Sequence, residues 1–168
     1  MGNEKDIATL RPMPAPHGEE SSSVLPTQLQ RVDVAIAIIT RGGRVLICQR
    51  PAGASFAGYW EFPGGKREAG ESIRDCLVRE VREELAMDVE PTAALRPVDH
   101  DYPRGRIRLH PHLCTTGASE PRLIACQAAK WVVPKDLKTY RFPPANESLI
   151  EEAMEYLARQ ASVPERPG

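Results

Sequence analysis

The sequence lacks an excess of charge of one sign. Its 22 lysines and arginines nearly balance its 23 aspartates and glutamates, which leaves a formal net charge of −1. A protein that binds nucleic acid without regard to sequence normally carries a large positive excess. We therefore expect no stable binding to nucleic acid.

Long apolar segments are also missing. The longest run, residues 34–39, is far shorter than the roughly 20 residues that cross a bilayer. The N-terminal residues contain no apolar core of the kind found in a secretion signal. They also contain acidic residues, which argues against an organelle-targeting peptide, namely Glu4, Asp6, Glu19 and Glu20. These patterns predict a cytoplasmic protein that does not cross a membrane.

Closely spaced cysteine pairs are absent as well. The four cysteines are scattered and form no C-x-x-C motif: Cys48, Cys76, Cys114 and Cys126. Single cysteines beside apolar residues are typical of buried, reduced thiols, which fits a reducing cytoplasm. A zinc site or a disulfide framework is the less favoured alternative.

Proline is abundant, with 16 residues in a chain of 168, nearly twice the usual share of about 5%. Several of these prolines fall in residues 1–29, where no helical or strand period is visible. We expect that segment to be a disordered N-terminal tail, and residues 161–168 to be a disordered C-terminal tail. Residues 30–160 are then long enough for one domain with a real core.

Strand-like and helix-like segments are mixed within residues 30–160. Strands are expected at 32–40 and 44–50, joined by Gly42-Gly43, and at 59–62, 93–102, 106–116 and 129–133. Helices are expected at 72–86 and 146–159. Because strands and helices do not alternate regularly, we expect an α+β fold with a mixed β-sheet sandwiched between helices.

The helix over residues 72–86 combines an apolar stripe with acidic residues. Ser72 is a plausible N-cap, with Asp75 three residues later. On a helical wheel one face carries the apolar residues Ile73, Leu77, Val81 and Leu85.

Three glutamates of this helix lie on or near the apolar stripe. Glu84 falls inside it, Glu80 lies at its edge and Glu83 lies on the flank. An unpaired buried carboxylate is costly, and a divalent cation between Glu80 and Glu84 would remove that cost. The wheel alone leaves two alternatives open, a metal cluster and a half-exposed acidic edge.

A glycine-rich loop before the helix favours the metal cluster. Residues 63–66 read Pro-Gly-Gly-Lys, and glycine lets backbone approach a ligand closely. A carbonyl of this loop is a candidate oxygen ligand, and Lys66 and Arg50 are candidates to meet phosphate charge. These residues suggest phosphate-ester or phosphoanhydride chemistry with a metal-activated water.

The same residues form a longer motif. Gly65, five residues, Glu71, seven residues and then Arg-Glu-Val-Arg-Glu-Glu-Leu-Ala-Met at 79–87 resemble the Nudix box, Gly-x5-Glu-x7-Arg-Glu-apolar-x-Glu-Glu-x-Gly-apolar. Every charged position matches, and the one departure is Ala86 in place of glycine. Glycine there suits a left-handed helix end, so alanine would strain the end or shift the cap without removing a ligand.

Two further segments resemble the MutT-type subgroup. Together with the Nudix box, they extend the resemblance over residues 31–160. They are Tyr-Trp-Glu-Phe-Pro-Gly-Gly-Lys at 59–66 and Phe-Pro-Pro-Ala-Asn-Glu at 142–147. The resemblance implies the Nudix fold and hydrolysis of a nucleoside triphosphate to the monophosphate and pyrophosphate, with Mg²⁺ or Mn²⁺. The best-known substrate of the subgroup is 8-oxo-dGTP, whose removal keeps oxidised guanine out of DNA.

The resemblance also implies roles for the residues of the box. Glu80, Glu83 and Glu84 would be metal ligands, together with the carbonyl of Gly65. Arg79 would orient these glutamates through an ion pair, and Glu71 would brace or assist the cluster.

Five further residues are implied to bind the substrate. Arg50 and Lys66 would face phosphates, and Phe62 would line the base pocket. Tyr102 is a candidate side wall of that pocket, with simple strand packing as the alternative. Asn146 matches the asparagine that reads the base, because an amide offers both a donor and an acceptor; a role as helix N-cap is the alternative.

One departure concerns the general base. Relatives commonly carry a glutamate in the loop before the strand that holds Trp131, and residues 123–127 contain no carboxylate. Glu80 becomes the better candidate base, with Glu120 as an alternative if its loop moves. Two other functions stay open: a Nudix hydrolase that prefers pyrimidine triphosphates, and a non-catalytic 8-oxoguanine-reading module, against which the intact glutamates argue.

Overall fold

The computed structural model describes residues 31–161, and β1 (Arg31–Arg41) runs through the middle of its sheet. The tails expected at 1–29 and 161–168 lie outside the described residues, except for Ala161, where the last helix ends. Gly42 and Gly43 reverse the chain after β1 with positive φ angles of 54° and 70°. The predicted hairpin into the next strand is therefore confirmed.

The sheet contains both parallel and antiparallel pairs. β1 pairs in parallel with β7 (Gly105–Thr116) along almost its whole length, and the other pairs are antiparallel. The remaining strands are β2 (Arg44–Gln49), β3 (Trp60–Glu61), β4 (Gly64–Lys66), β5 (Val89–Ala94), β6 (Val98–Tyr102) and β8 (Ala128–Val132). The expected mixed sheet is confirmed.

Helices cover both faces of this sheet. Residues 35–39 of β1 are all buried, as a strand covered on both sides requires. Ala35, Ala37 and Ile39 pack toward α1 (Ile73–Leu85), whereas Ile36 and Ile38 share the other core with α2 (Glu147–Ala161). No helix in the described range is long and apolar enough to span a membrane. The α+β sandwich is confirmed.

Both ends of α1 follow from local residue chemistry. Ser72 caps the start, because its Oγ accepts a hydrogen bond from the backbone N–H of Asp75 at 3.1 Å and donates to the Asp75 carboxylate at 2.6 Å. Ala86 ends the helix in the left-handed region, with φ 51° and ψ 35°, and its N–H donates to the carbonyl of Arg82. The expected strain at this glycine position of the Nudix box is therefore present.

The structure differs from the sequence prediction in the division of one strand at a proline, in one very short strand and in two short 3-10 helices. The single strand expected over 93–102 is two strands, because Pro97 interrupts the ladder between β5 and β6 and cannot donate a hydrogen bond. The three-residue β4 was not predicted. Short 3-10 helices also form at Pro134–Thr139 and Pro144–Asn146, so that α2 begins at Glu147.

We predict that Ala86→Gly stabilises the protein. A left-handed conformation costs a non-glycine residue about 1–2 kcal/mol, and the extra freedom of glycine in the unfolded chain takes back about 0.4–1 kcal/mol. The melting temperature should rise by about 1–4 °C in thermal unfolding. The control is Ala118→Gly, at an exposed alanine without positive φ, which should not raise the melting temperature. An unchanged or lower melting temperature in Ala86→Gly would contradict the strain.

Candidate active site

A cavity of about 640 Å³ opens between the sheet and the segment that leads into α2. All five residues that the resemblance implies for substrate binding line it, namely Arg50, Phe62, Lys66, Tyr102 and Asn146. The backbone of Gly64 and Gly65 forms part of its wall. The fold thus brings together residues that lie up to 96 positions apart in the chain.

One end of the cavity is aromatic and carries a buried amide. Phe62 is 1% exposed and packs against Phe142, with 5.4 Å between ring centroids. Asn146 is 8% exposed, and its side chain makes no hydrogen bond within residues 31–161. Because the side chain makes no such bond, it does not cap α2; only the backbone N–H of Asn146 is paired here, with the carbonyl of Pro143 at 2.9 Å. The amide lines the cavity and is available to a ligand.

Tyr102 is half-buried and lines the same cavity. Its ring contacts His100 at 4.6 Å and Phe56 at 6.1 Å between centroids. Phe56 belongs to the loop between β2 and β3 and lines the cavity too. Tyr102 therefore packs on neighbouring aromatics and also forms part of the cavity wall, and its role beside a base stays a prediction.

The other end of the cavity lies against the carboxylates of α1. The N–H of Gly64 donates to Glu84 Oε2 at 3.2 Å. A Cβ added to Gly65 would lie 2.2 Å from the carboxyl carbon of Glu80. Only glycine at position 65 lets the carboxylate of Glu80 lie this close to the backbone.

Glu84 faces the interior, as the helical wheel predicts. Burial raises the pKa of its carboxyl from 4.5 to about 8, the negative charges of Glu61 and Glu80 add to this rise, and the bond from Gly64 lowers it. Without a cation, this carboxylate is therefore poorly compensated.

Arg79 donates hydrogen bonds to three acidic residues of the Nudix box, Glu71, Glu80 and Glu83. It donates to both carboxylate oxygens of Glu71, at 2.7 and 3.0 Å, and to the carbonyl of Lys66. Its remaining donors reach Glu80 at 2.9 Å and Glu83 at 3.2 Å. These bonds lower the pKa of Glu71 to about 2 and raise the pKa of Arg79.

Of the expected ligands Glu80, Glu83 and Glu84, the first and the last lie beside the glycine backbone, whereas Glu83 is exposed. The side chain of Glu83 is 60% exposed, against 17% for Glu80, because Arg79 draws Glu83 to the outer flank of α1. Among the described residues, no three histidine, cysteine or acidic side chains converge on a point that would hold a metal ion. Of the three glutamates, Glu80 and Glu84 adjoin the glycine backbone, where Cys76 Sγ also donates to the carbonyl of Gly65 at 3.6 Å.

These residues nevertheless fit a hard divalent cation. Mg²⁺ commonly takes one or two carboxylates and completes its shell with water and substrate phosphates. Glu80, Glu84 and the carbonyl of Gly65 offer only oxygen donors. A cation there would also compensate the charge of Glu84.

Sequence reasoning missed Glu61, which lines the cavity between Arg50 and the carboxylates of α1. Glu61 forms a short ion pair with Arg50 Nη1, and burial raises the pKa of its carboxyl while Arg50 opposes the rise. Arg50 Nε also donates to the carbonyl of Ser55 at 2.6 Å. The position of Glu61 beside Phe62 in the 59–66 segment was the signal that could have found it.

The loop over residues 121–127 closes the C-terminal end of α1 but brings no acid. The N–H groups of Ile124 and Ala125 donate to the carbonyl of Glu84 at 3.1 and 3.3 Å. Glu120 lies outside this contact, where Arg41 Nη2 donates to its Oε1 at 2.6 Å. Arg41 also bonds the carbonyls of Gly117 and Ser119, and Glu120 does not line the cavity.

We predict that the metal-free protein becomes less stable as pH rises from about 5 to about 8. In this range the folded state keeps a proton on Glu84 that the unfolded state has lost. This stabilisation is complete below the unfolded pKa and is lost as pH rises through the folded pKa. The measurement is urea unfolding in a chelator at several pH values.

The variant Glu84→Gln should flatten this dependence, whereas the control Glu120→Gln should keep it. An equal pH dependence in wild type and Glu84→Gln would show that another group carries it.

Comparisons with known proteins agree with this geometry. The NUDIX domain model matches residues 34–152. The chain is 40% identical over 129 residues to the CTP pyrophosphohydrolase of Escherichia coli K12, covering 75% of this chain and 93% of the relative. It is 31% identical over 123 residues to the 8-oxo-dGTP diphosphatase of the same organism, covering 73% and 95%.

Solved structures show the same fold. The E. coli ORF135 protein in solution superposes with a TM-score of 0.69 at 33% identity, covering 82% of this chain and 96% of that one. A MutT NUDIX hydrolase from Burkholderia pseudomallei gives 0.66 at 29% identity, covering 73% and 98%. The motif, the fold and these matches together show that the chain belongs to the Nudix family and is a hydrolase of its MutT type.

Proposed function

We propose that this protein hydrolyses a nucleoside triphosphate to the monophosphate and pyrophosphate with Mg²⁺, Mn²⁺ being the alternative ion. The proposed substrate is 8-oxo-dGTP or a similar damaged nucleotide of the cytoplasmic pool. The observation that carries the proposal is the single cavity that joins the buried, unbonded amide of Asn146 to the glycine backbone beside Glu80 and Glu84.

The two ends of the cavity suit the two parts of a nucleotide. Phe62 and Tyr102 offer aromatic surface to a base, and Asn146 offers a donor and an acceptor to its edge. Arg50 and Lys66 line the same cavity nearer the glycine backbone, where cations favour phosphate. The base would therefore lie at the aromatic end and the phosphates against Gly64 and Gly65.

The chain's own residues prepare the phosphate end for reaction. Glu80, Glu84 and the Gly65 carbonyl would hold the cation, which when bound supplies Lewis-acid activation of water and neutralises phosphate charge. Arg79 orients Glu80 from one side, and Glu71 holds Arg79 through two hydrogen bonds. Glu83 is a flanking partner of Arg79, with access to the cation only if that ion pair opens.

A proton acceptor must also be present for attack by water. Relatives commonly place a glutamate in the loop where this chain has Ala125, and Arg41 holds Glu120 away from the site. Glu80 is then the candidate general base, because it lies beside the Gly65 backbone at the wall of the cavity.

One observation favours a second candidate substrate. The relative with 40% identity is named a CTP pyrophosphohydrolase, so a pyrimidine triphosphate is the alternative. Kinetics on 8-oxo-dGTP, dGTP, CTP and dCTP, with Mg²⁺ and with a chelator, separates the two. We expect Mg²⁺-dependent release of pyrophosphate and the highest kcat/KM for 8-oxo-dGTP. Binding without turnover would indicate a reading module instead.

We predict that Gly65→Ala removes activity without unfolding the protein. The added Cβ would lie 2.2 Å from the carboxyl carbon of Glu80, so the end of this flexible side chain would have to move. A misplacement of about 1 Å in an active site can cost about 10²-fold in rate, so kcat should fall at least that far while the melting temperature changes little. The control is Gly117→Ala, where an added Cβ meets nothing within 4 Å. Wild-type turnover in Gly65→Ala would contradict the close approach of Glu80.

We predict that Asn146→Ala weakens base discrimination. Oxidation at C8 turns N7 of guanine from an acceptor into a donor, and the amide carbonyl of Asn146 would accept from it while its NH₂ donates to O6. Leaving a buried polar group unpaired costs about 1–3 kcal/mol, so wild type should favour 8-oxo-dGTP over dGTP by at least about tenfold. Asn146→Ala should reduce this ratio to within about threefold, as ratios of kcat/KM measure.

The matched control for this experiment is Gln160→Ala, an exposed amide farther along α2, which should keep the preference. Equal hydrolysis of both nucleotides by wild type, or a preference for CTP, would reject 8-oxo-dGTP as the substrate and leave the wider Nudix assignment.

A further inference from the structure

The ion pair with Glu61 occupies the guanidinium of Arg50, which is the group proposed to bind phosphate. Both side chains are 26% exposed, and both line the cavity. Arg50 is also fastened through the loop between β2 and β3, because its N–H donates to Tyr59 at 2.9 Å and its carbonyl accepts from Gly58 at 3.1 Å. In this state the guanidinium already has a carboxylate partner before any substrate arrives.

Glu61 is also close to the acidic residues of α1. Its charge acts on Glu84, whose carboxylate accepts a bond from Gly64, three residues after Glu61. β3 pairs with β2 so that Glu61 lies opposite Cys48, which belongs to the core under α1. Glu61 therefore extends from the sheet toward the place where Glu80 and Glu84 meet the glycine backbone.

A phosphate and Glu61 would compete for the same guanidinium. A bidentate arginine–phosphate contact is strong and directional, and Glu61 left beside Glu84 without Arg50 would be an uncompensated, half-buried charge. A divalent cation held by Glu80 and Glu84 would lie beside Glu61 and could take the place of Arg50 as its partner.

We infer that Glu61 is an exchangeable carboxylate: Arg50 holds it in the free enzyme, and when Arg50 turns to the substrate phosphates, Glu61 becomes an additional ligand of the divalent cation at Glu80 and Glu84. Glu61 would thereby supply from β3 the acidic group that the 121–127 loop lacks. Substrate binding and metal binding are then coupled through one side chain. The inference rests on the proposed function for its biological use, but its chemistry is testable without a nucleotide.

The first test is Mn²⁺ binding without nucleotide, followed by the electron paramagnetic resonance signal of free Mn²⁺. The medium contains 0.5 M KCl, so that charge acting through solvent is screened. Arg50→Gln releases Glu61 and should bind Mn²⁺ about fivefold more tightly than wild type, within the range of coupling between contacting groups. Glu61→Gln should stay within about twofold of wild type, and the double variant should match Glu61→Gln.

The matched control is Glu90→Gln, which breaks another short arginine–glutamate ion pair, with Arg74, outside the cavity that Arg50 and Glu61 line. It should bind Mn²⁺ as wild type does. Thermal unfolding verifies that each variant is folded. If Arg50→Gln does not fold, Arg50→Lys takes its place, because one ammonium group pairs less firmly than the guanidinium fork and should give a smaller tightening.

Unchanged Mn²⁺ affinity in the folded Arg50 variant overturns the inference, and so does a tightening that persists in the double variant.

The second test is steady-state kinetics with the triphosphate that wild type hydrolyses best. Glu61→Gln should lower kcat about tenfold or more without raising KM, because the change removes a proposed metal ligand and leaves Arg50 free to meet the phosphates. A rise in KM with unchanged kcat would overturn it. If wild type hydrolyses no triphosphate, the proposed function fails, while the Mn²⁺ result still decides the exchange.

Discussion

The site depends on the approach of two carboxylates of α1 to a backbone without side chains. Gly64 donates its N–H to Glu84, and Gly65 leaves the space that the carboxylate of Glu80 occupies. This approach requires α1 to lie across β1 and β4, and the small residues Ala35 and Ala37 on that face of β1 allow it. A methyl group at either glycine would strike the backbone of β1 or the carboxylate itself.

Charge balance then explains the remaining polar contacts of the site. Burial near the glycine backbone leaves Glu84 with a raised pKa, whereas Glu71, Glu80 and Glu83 each accept a hydrogen bond from Arg79. Arg50 pairs with Glu61 in the same cavity. A divalent cation and a phosphate chain are the ligands that such a half-compensated arrangement favours.

Periodicity and motif spacing predicted the parts of the molecule that depend on local chemistry. Ser72 as N-cap, the hairpin at Gly42-Gly43 and the inward position of Glu84 follow from residue types at short range. Asn146, which the Nudix resemblance implies for base reading, lies in the cavity wall, and its role in base reading stays a prediction.

The features that were missed depend on contacts between distant segments. β4 exists only because residues 64–66 pair with β1, and Glu61 gains its place through Arg50 and the strand pairing. The ion pair that Arg79 forms with Glu83 on the flank of α1 was not expected either, whereas the role of Glu83 as a ligand stays a prediction. A wheel or a motif shows which residues share a face and not which of two partners a side chain takes.

The most direct test of the account is Mg²⁺-dependent turnover in Glu84→Gln, a change that keeps the shape of the side chain and removes its charge. The account predicts that most pyrophosphate release is lost, that the fold is intact and that Mg²⁺ no longer raises the melting temperature, since a ligand of the native state stabilises it. Glu120→Gln, the matched control that Arg41 holds outside the site, should keep both. Near-wild-type turnover in Glu84→Gln would contradict the account.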